Sequence, residues 1–347
     1  MTSFRFPHAI LGIALTAAAM SAQAAVVALP SFSALYVFGD SLSDSGNNAF
    51  IGGSDPGQFI NNNTYVPTKP YAFNAYTNGL TWVNSFAAGL GLPTTAAMPS
   101  ITLGGNYAYG GAKTVQDGTD VPSAPGFPPS AATQLMGTGP SIYQVGYLTM
   151  TGMAPLPATA LYVIAIGGND VRDLSVAVAM NPALALTISG AAAAYATAVG
   201  NMVDALQAKG AQRIVVWDAP DVGKTPAALA GGAAFSGLAT SIASNFNSAL
   251  TARMAGEAGV TVFDVFGITN TVIGNPAAFG LTNVTDACGA LGAACDPSKY
   301  LFWDGIHPTS AGHDLLAAGM LAAVPEPSSM LMLAVGICAL LAWRRRA

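Results

Sequence analysis

Apolar residues along this chain gather in short unbroken runs, with little strict alternation. Ala34–Phe38, Thr159–Ile166, Arg213–Trp217 and Val260–Phe263 are rich in strand formers and too short for helices. Continuous apolarity of this kind marks strands covered on both faces. Between them lie longer stretches that read as helices. Trp82–Leu90 is ended by Gly91 and Pro93, and the alanine-rich Leu184–Lys209 is stopped by Gly210. Ser141–Met150, Phe235–Ala255 and Thr309–Ala323 complete the set. Strands alternating with helices predict a parallel sheet with helices on both faces. No repeat or linker interrupts residues 30–322, so one domain is expected there.

The segments outside this pattern are polar and irregular. Asn47–Asn78, rich in Asn, Gly, Pro and Tyr, predicts a long loop over the sheet edge. Gln116–Pro140 reads as a surface excursion, with a lid and a plain loop both open. Two strands end abruptly on small polar residues, Gly39-Asp40-Ser41-Leu42 and Gly167-Gly168-Asn169-Asp170. The carboxyl edge of a parallel sheet is where open α/β folds bind ligands. Ser41 is therefore a candidate nucleophile, and a bare hydroxyl needs a base, an orienting acid and oxyanion donors. As a local motif it equally suits a helix cap. Ser43 in place of a second glycine departs from the Gly-x-Ser-x-Gly elbow.

Histidine supply narrows the base. There are three: His8 near the start, His313 within the last helical pattern, and His307 in a turn before Pro308. His313 reads as structural or capping. His307 follows Asp304 by three positions, close enough for the carboxylate to orient the ring. The Gly104–Ala112 stretch, with its glycine pairs, allows close backbone approach. It does not fit a phosphate loop, because Lys113 is displaced and no GxGxxG is present. No cluster has zinc-site spacing, and no cofactor motif is present, so neither metal nor cofactor is expected.

Both termini change the picture. Arg5, the apolar Ala9–Ala19 and Ala22-Gln23-Ala24 predict a signal peptide over residues 1–24. Residues 324–347 combine Pro325-Glu326-Pro327, apolar Met330–Trp343 and Arg344-Arg345-Arg346. That order resembles the PEP-CTERM sorting tail of Gram-negative envelope proteins. The resemblance implies transient anchoring in the inner membrane, processing by an exosortase, and release or attachment at the envelope or surface. Removing both ends leaves 8 Lys+Arg against 16 Asp+Glu, a net charge of −8, which disfavours nucleic acid and anionic lipid as partners. In an exported protein, Cys288 and Cys295 are expected to form a disulfide.

Four blocks occur in order: Gly39-Asp40-Ser41-Leu42 with Ser43–Asn47, Asn106–Ala112, Gly167–Asp170, and Asp304-x-x-His307-Pro308. Together they resemble the GDSL, or SGNH, hydrolases. The Asp218–Pro226 loop resembles that of secreted bacterial lipase-like members. The resemblance implies a flavodoxin-like three-layer α/β/α fold and an esterase or lipase acting through an acyl-serine. It makes Ser41 the nucleophile, His307 the base and Asp304 the orienting acid. The oxyanion hole would be the Ser41 N–H, the Gly111 N–H and the Asn169 side chain. Asp44, Asn47, Asn106 and Asp170 are expected to hold loops. The substrate would be a small-molecule, lipid or acetylated-glycan ester. An acyltransferase or exopolysaccharide O-deacetylase on the same fold, or a glycan-binding surface protein without catalysis, are the alternatives.

Overall fold

A computed structural model describes residues 32–119, 125–152 and 154–324. The predicted leader and the tail beyond Val324 lie outside these residues. The four apolar runs form one parallel sheet in the order β1 (Leu35–Gly39), β2 (Leu161–Ala165), β3 (Ile214–Trp217) and β4 (Val260–Phe263). The register pairs Leu35 with Leu161, Tyr162 with Ile214 and Ile214 with Val260. Because side chains alternate across a strand, each run supplies both faces. Tyr36, Phe38, Tyr162, Ile164, Ile214 and Val216 pack on one side. Leu35, Val37, Leu161, Val163, Val215 and Trp217 pack on the other.

The first face is covered by α3 (Ala131–Met136), α4 (Tyr147–Met150), α5 (Gly168–Met180), α6 (Ile188–Ala208) and α8 (Ala233–Met254). The second is covered by α2 (Trp82–Gly89) and α10 (Ser310–Ala323). This is the expected three-layer α/β/α sandwich. Trp82, Trp217 and Phe263 fill the second layer, with the two indole centroids 4.6 Å apart. Each such fully buried side chain contributes roughly 1.5–3 kcal/mol by leaving water. Residues Pro182–Ala208 are long and apolar enough to cross a membrane. Here Tyr195, Val199, Met202, Val203 and Leu206 form a buried stripe against the sheet, while the outward alanines carry no polar signal.

The Gly104–Ala112 stretch is more than a loop. Val37 N donates to Gly105 O at 3.0 Å, Tyr107 N to Val37 O at 2.7 Å, and Tyr109 N to Gly39 O at 3.1 Å. Residues 105–109 thus run along the free edge of β1, with a parallel bridge between Val37 and Asn106. Chain order across the sheet therefore reverses at β1, the position where doubly wound folds open a crevice at the carboxyl edge.

Several expectations need correction. The Ser141–Met150 helix is a 3-10 turn over Ile142–Gln144 followed by α4, because Val145 and Gly146 are extended. Within the Gln116–Pro140 excursion, Phe127, Ala131, Gln134 and Leu135 are buried and α3 joins the core. The Asn47–Asn78 loop contains α1 (Asn47–Gly52). Three helices went unread: α5, hidden behind its glycine and polar start, the short α7 (Pro226–Ala230), and α9 (Val265–Gly274), apolar without visible period. A small parallel pair, β5 (Asn283–Ala287) with β6 (Tyr300–Phe302), also went unread. Cys288 and Cys295 are disulfide-bonded, with Cα atoms 5.5 Å apart.

Candidate active site

The site grows from the end of β1. Gly39 must be glycine because a Cβ there would meet the Ala165 carbonyl oxygen of β2 at 2.5 Å. Gln134 clamps it from α3, accepting from Gly39 N and donating to Gly39 O, both at 2.8 Å. Its carboxamide acts as one more strand edge for the last residue of β1. Asp40 follows, accepting from Leu42 N at 3.0 Å and tightening the turn. Burial pushes the Asp40 carboxyl up to about 6, against that backbone bond. Ser41 emerges from this turn 7 % exposed.

Opposite Ser41 stands His307, in the turn between β6 and α10. Its Nε2 lies 2.8 Å from Ser41 Oγ, across 266 sequence positions. Its Nδ1 lies 2.7 Å from Asp304 Oδ2. Asp304 Oδ1 accepts from Ile306 N and His307 N, each at 2.8 Å, and Oδ2 also accepts from Tyr71 Oη at 3.0 Å. With Asp304 an acceptor on every side, the ring proton sits on Nδ1. Nε2 is left to accept the serine proton. Asp304 is fully buried and His307 nearly so, which strengthens every bond in the relay.

The three predicted oxyanion donors line one cleft with Ser41 and His307. Asn169, at the start of α5, donates one amide proton to Ala112 O at 2.8 Å, and the other meets no acceptor among the described residues. Of the glycine pair, Gly110 N donates to Asp44 Oδ2 at 3.0 Å, while Gly111 N finds no acceptor among the described residues. Gly111 N therefore stays open to a new acceptor, at a φ of +81° that suits only glycine without strain. The positive end of α5 adds a favourable field for developing negative charge.

The loop residues do what turn chemistry demands. Asp44 collects Gly46 N, Asn47 N and Asn48 N, and Asn47 Nδ2 donates to the Asn106 and Ala108 carbonyls. Asn106 returns to Ser43 O at 2.6 Å, and Asp170 accepts from Thr114 N and Oγ1. These bonds hold the first three blocks together. His313 is buried in α10, where Thr309, not His313, caps the helix through Gly312 N. Two aromatic residues were missed in the sequence. Tyr71 donates to Asp304, and burial, then the charge of Asp304, keeps its hydroxyl far above the usual range and so protonated. Tyr76 lies against the His307 ring, with centroids 5.4 Å apart. Nothing local marks either one, since both sit in a tyrosine-containing loop without period.

Comparison with known proteins agrees with this geometry. Residues 35–320 match the family described as GDSL-like Lipase/Acylhydrolase. Residues 323–346 match the PEP-CTERM protein-sorting motif, which indicates an exported protein sorted by an exosortase. The chain is 31% identical over 329 residues to Esterase EstA of Pseudomonas aeruginosa, covering 86% of this chain and 48% of that one. It is 31% identical over 335 residues to an uncharacterised Pseudomonas putida protein from the trpE-trpG intergenic region, covering 89% of this chain and 51% of that one. It is 26% identical over 332 residues to a GDSL esterase/lipase of Arabidopsis thaliana, covering 83% of this chain and 85% of that one. The chain thus spans about half the length of the Pseudomonas relatives it matches. With the family pattern running through the whole sheet and both halves of the Ser41–His307 pair, the chain belongs to the GDSL-like lipase/acylhydrolase family.

Proposed function

We propose that this chain is an exported serine ester hydrolase. The observation that carries the reading is the unbroken relay from Ser41 Oγ through His307 to Asp304, open to a cleft with three oxyanion donors. His307 Nε2 takes the proton of Ser41 as Oγ attacks the ester carbonyl. The charge on the carbonyl oxygen meets Ser41 N, Gly111 N and the Asn169 amide, each such donor being worth about 3 kcal/mol in the transition state. His307 then gives its proton to the departing alkoxide, breaking the C–O bond and leaving an acyl-serine. A water, deprotonated by the same ring, attacks that ester and releases the acid and Ser41.

Residues 30–322 are proposed as the hydrolase domain, residues 1–24 as a removed leader and residues 324–347 as the sorting tail. The tail favours an envelope or extracellular site of action, and with it an acetylated exopolysaccharide as an alternative substrate. Ser41→Ala and His307→Ala should each reduce turnover of a short-chain 4-nitrophenyl ester by at least a thousandfold, with circular dichroism unchanged. Wild-type-like rates in either variant would end the assignment. Acyl transfer is distinguished by supplying an alcohol acceptor: free acid as sole product supports hydrolysis.

A further inference from the structure

Resting on the hydrolase reading, the cavities around Ser41 decide which half of the ester goes where. Two cavities share Ser41, Asn169, Arg172, Ile306 and His307 on their walls. One is a recess of about 90 Å³ walled by Val222, Val265, Ile268, Val272, Leu301 and Leu315. The other is a cleft of about 700 Å³ that includes Asn48, Lys69 and the Gly110-Gly111 backbone. The carboxyls bordering the recess each already accept from a protein donor. Asp221 accepts from Thr240 Oγ1 and Asn270 Nδ2, and Asp40 from Leu42 N. Thr225 Oγ1 likewise donates to Val222 O. A hydroxyl or charge entering there would lose water and find few partners. The cleft differs. Asn48 spends both amide protons on Tyr76 Oη and Gly110 O, and its buried carboxamide oxygen has no donor among the described residues.

We infer that the recess receives the acyl chain and the cleft receives the alcohol portion. The preferred substrate is then a short acyl group on a large, hydroxyl-bearing alcohol. Size sets the chain length. A dry cavity of ~150 Å³ holds the six carbons of benzene, so this recess holds about four.

The test is a series of 4-nitrophenyl esters, from acetate through butanoate to octanoate, assayed on the full chain. kcat/KM should rise about fourfold per methylene to butanoate and then stop rising. Thr269→Phe, which narrows the recess, should lower the butanoate-to-acetate ratio about tenfold. Leu315→Ala, which deepens it, should carry the rise to longer chains. Variants that change every ester by one common factor would overturn the acyl assignment. For the cleft, sorbitol monobutanoate should be cleaved at least ten times faster than ethyl butanoate; equal or slower cleavage overturns the alcohol assignment. Failure of the hydrolase reading is distinct: no ester is cleaved, and a fluorophosphonate leaves Ser41 unlabelled.

Discussion

A hydrogen bond between Tyr71 and Asp304 shows how single residues tune the relay. Asp304 already holds His307 by the ring and by two backbone N–H groups. Tyr71 adds a fourth bond at 3.0 Å, and its ring meets that of Trp303 in a T-shaped contact. Bonds to a carboxylate are worth about 1.5–3 kcal/mol. Tyr71→Phe keeps the packing and removes only the hydroxyl. kcat should fall about tenfold with KM little changed, while the lost bond lowers the melting temperature by a few degrees. A kcat equal to wild type would mean that the backbone donors alone position Asp304. Histidine scarcity and the Asp-x-x-His spacing made the Ser41, Asp304 and His307 candidates readable from residue types. Tyr71 and Tyr76 were not readable, because a tyrosine's role depends on what its hydroxyl or ring meets, and both partners are distant in sequence.

Among elements, the strands were the most legible. Each is buried on both faces, so its local composition carries the whole signal. The edge segment 105–109 was not, because its glycines lack the side chains that mark a strand. Only its hydrogen bonds to Val37 and Gly39 reveal it. α5 was obscured by the same residues that make it useful, since Gly168 and Asn169 read as a turn before they read as a helix start. The covalent link following β5 gives a test at this scale. Cys288 and Cys295 close a loop with a sequence separation of 7. Restricting an unfolded loop of that size stabilises the fold by about 2.5 kcal/mol. Cys288→Ser/Cys295→Ser should therefore lower the unfolding free energy by that amount, moving the urea midpoint down by its ratio to the m-value. An unchanged midpoint would show that this loop is equally ordered without the bond.

The whole molecule expresses its buried charges as a pH dependence of stability, and two groups oppose each other. Burial pushes Asp170 up to about 6, against the bonds from Thr114. In the unfolded chain its proton leaves near pH ~4. Between those values the folded state holds a proton that the unfolded state has released. Its stabilising contribution is complete below pH ~4 and is lost as pH rises through about 6. His313 runs the other way. Burial, and then the charge of His307, lower it to about 3. Its contribution is complete above pH ~6.5 and is lost as pH falls toward about 3. Calorimetry from pH 4 to 7 checks both. Asp170→Asn should weaken any fall in melting temperature on raising the pH from 4 to 6. His313→Gln should weaken any fall on lowering it from 6.5. Curves parallel to wild type would show that neither group titrates between the two states in this range.

Local sequence determined the strand positions, the polar turns at their ends, the disulfide pair and the types of residue available for chemistry. These follow from burial, backbone preference and side-chain chemistry, which act over a few neighbouring residues. Tertiary structure decided the rest. The reversal of strand order at β1 opens the crevice, and α10 and its preceding turn bring His307 to Ser41 across 266 positions. Which N–H of the Gly110-Gly111 pair stays open to a new acceptor depends on Asp44 taking that of Gly110. Such outcomes are set by which surfaces pack together, and no short window of sequence contains both partners of a long-range contact.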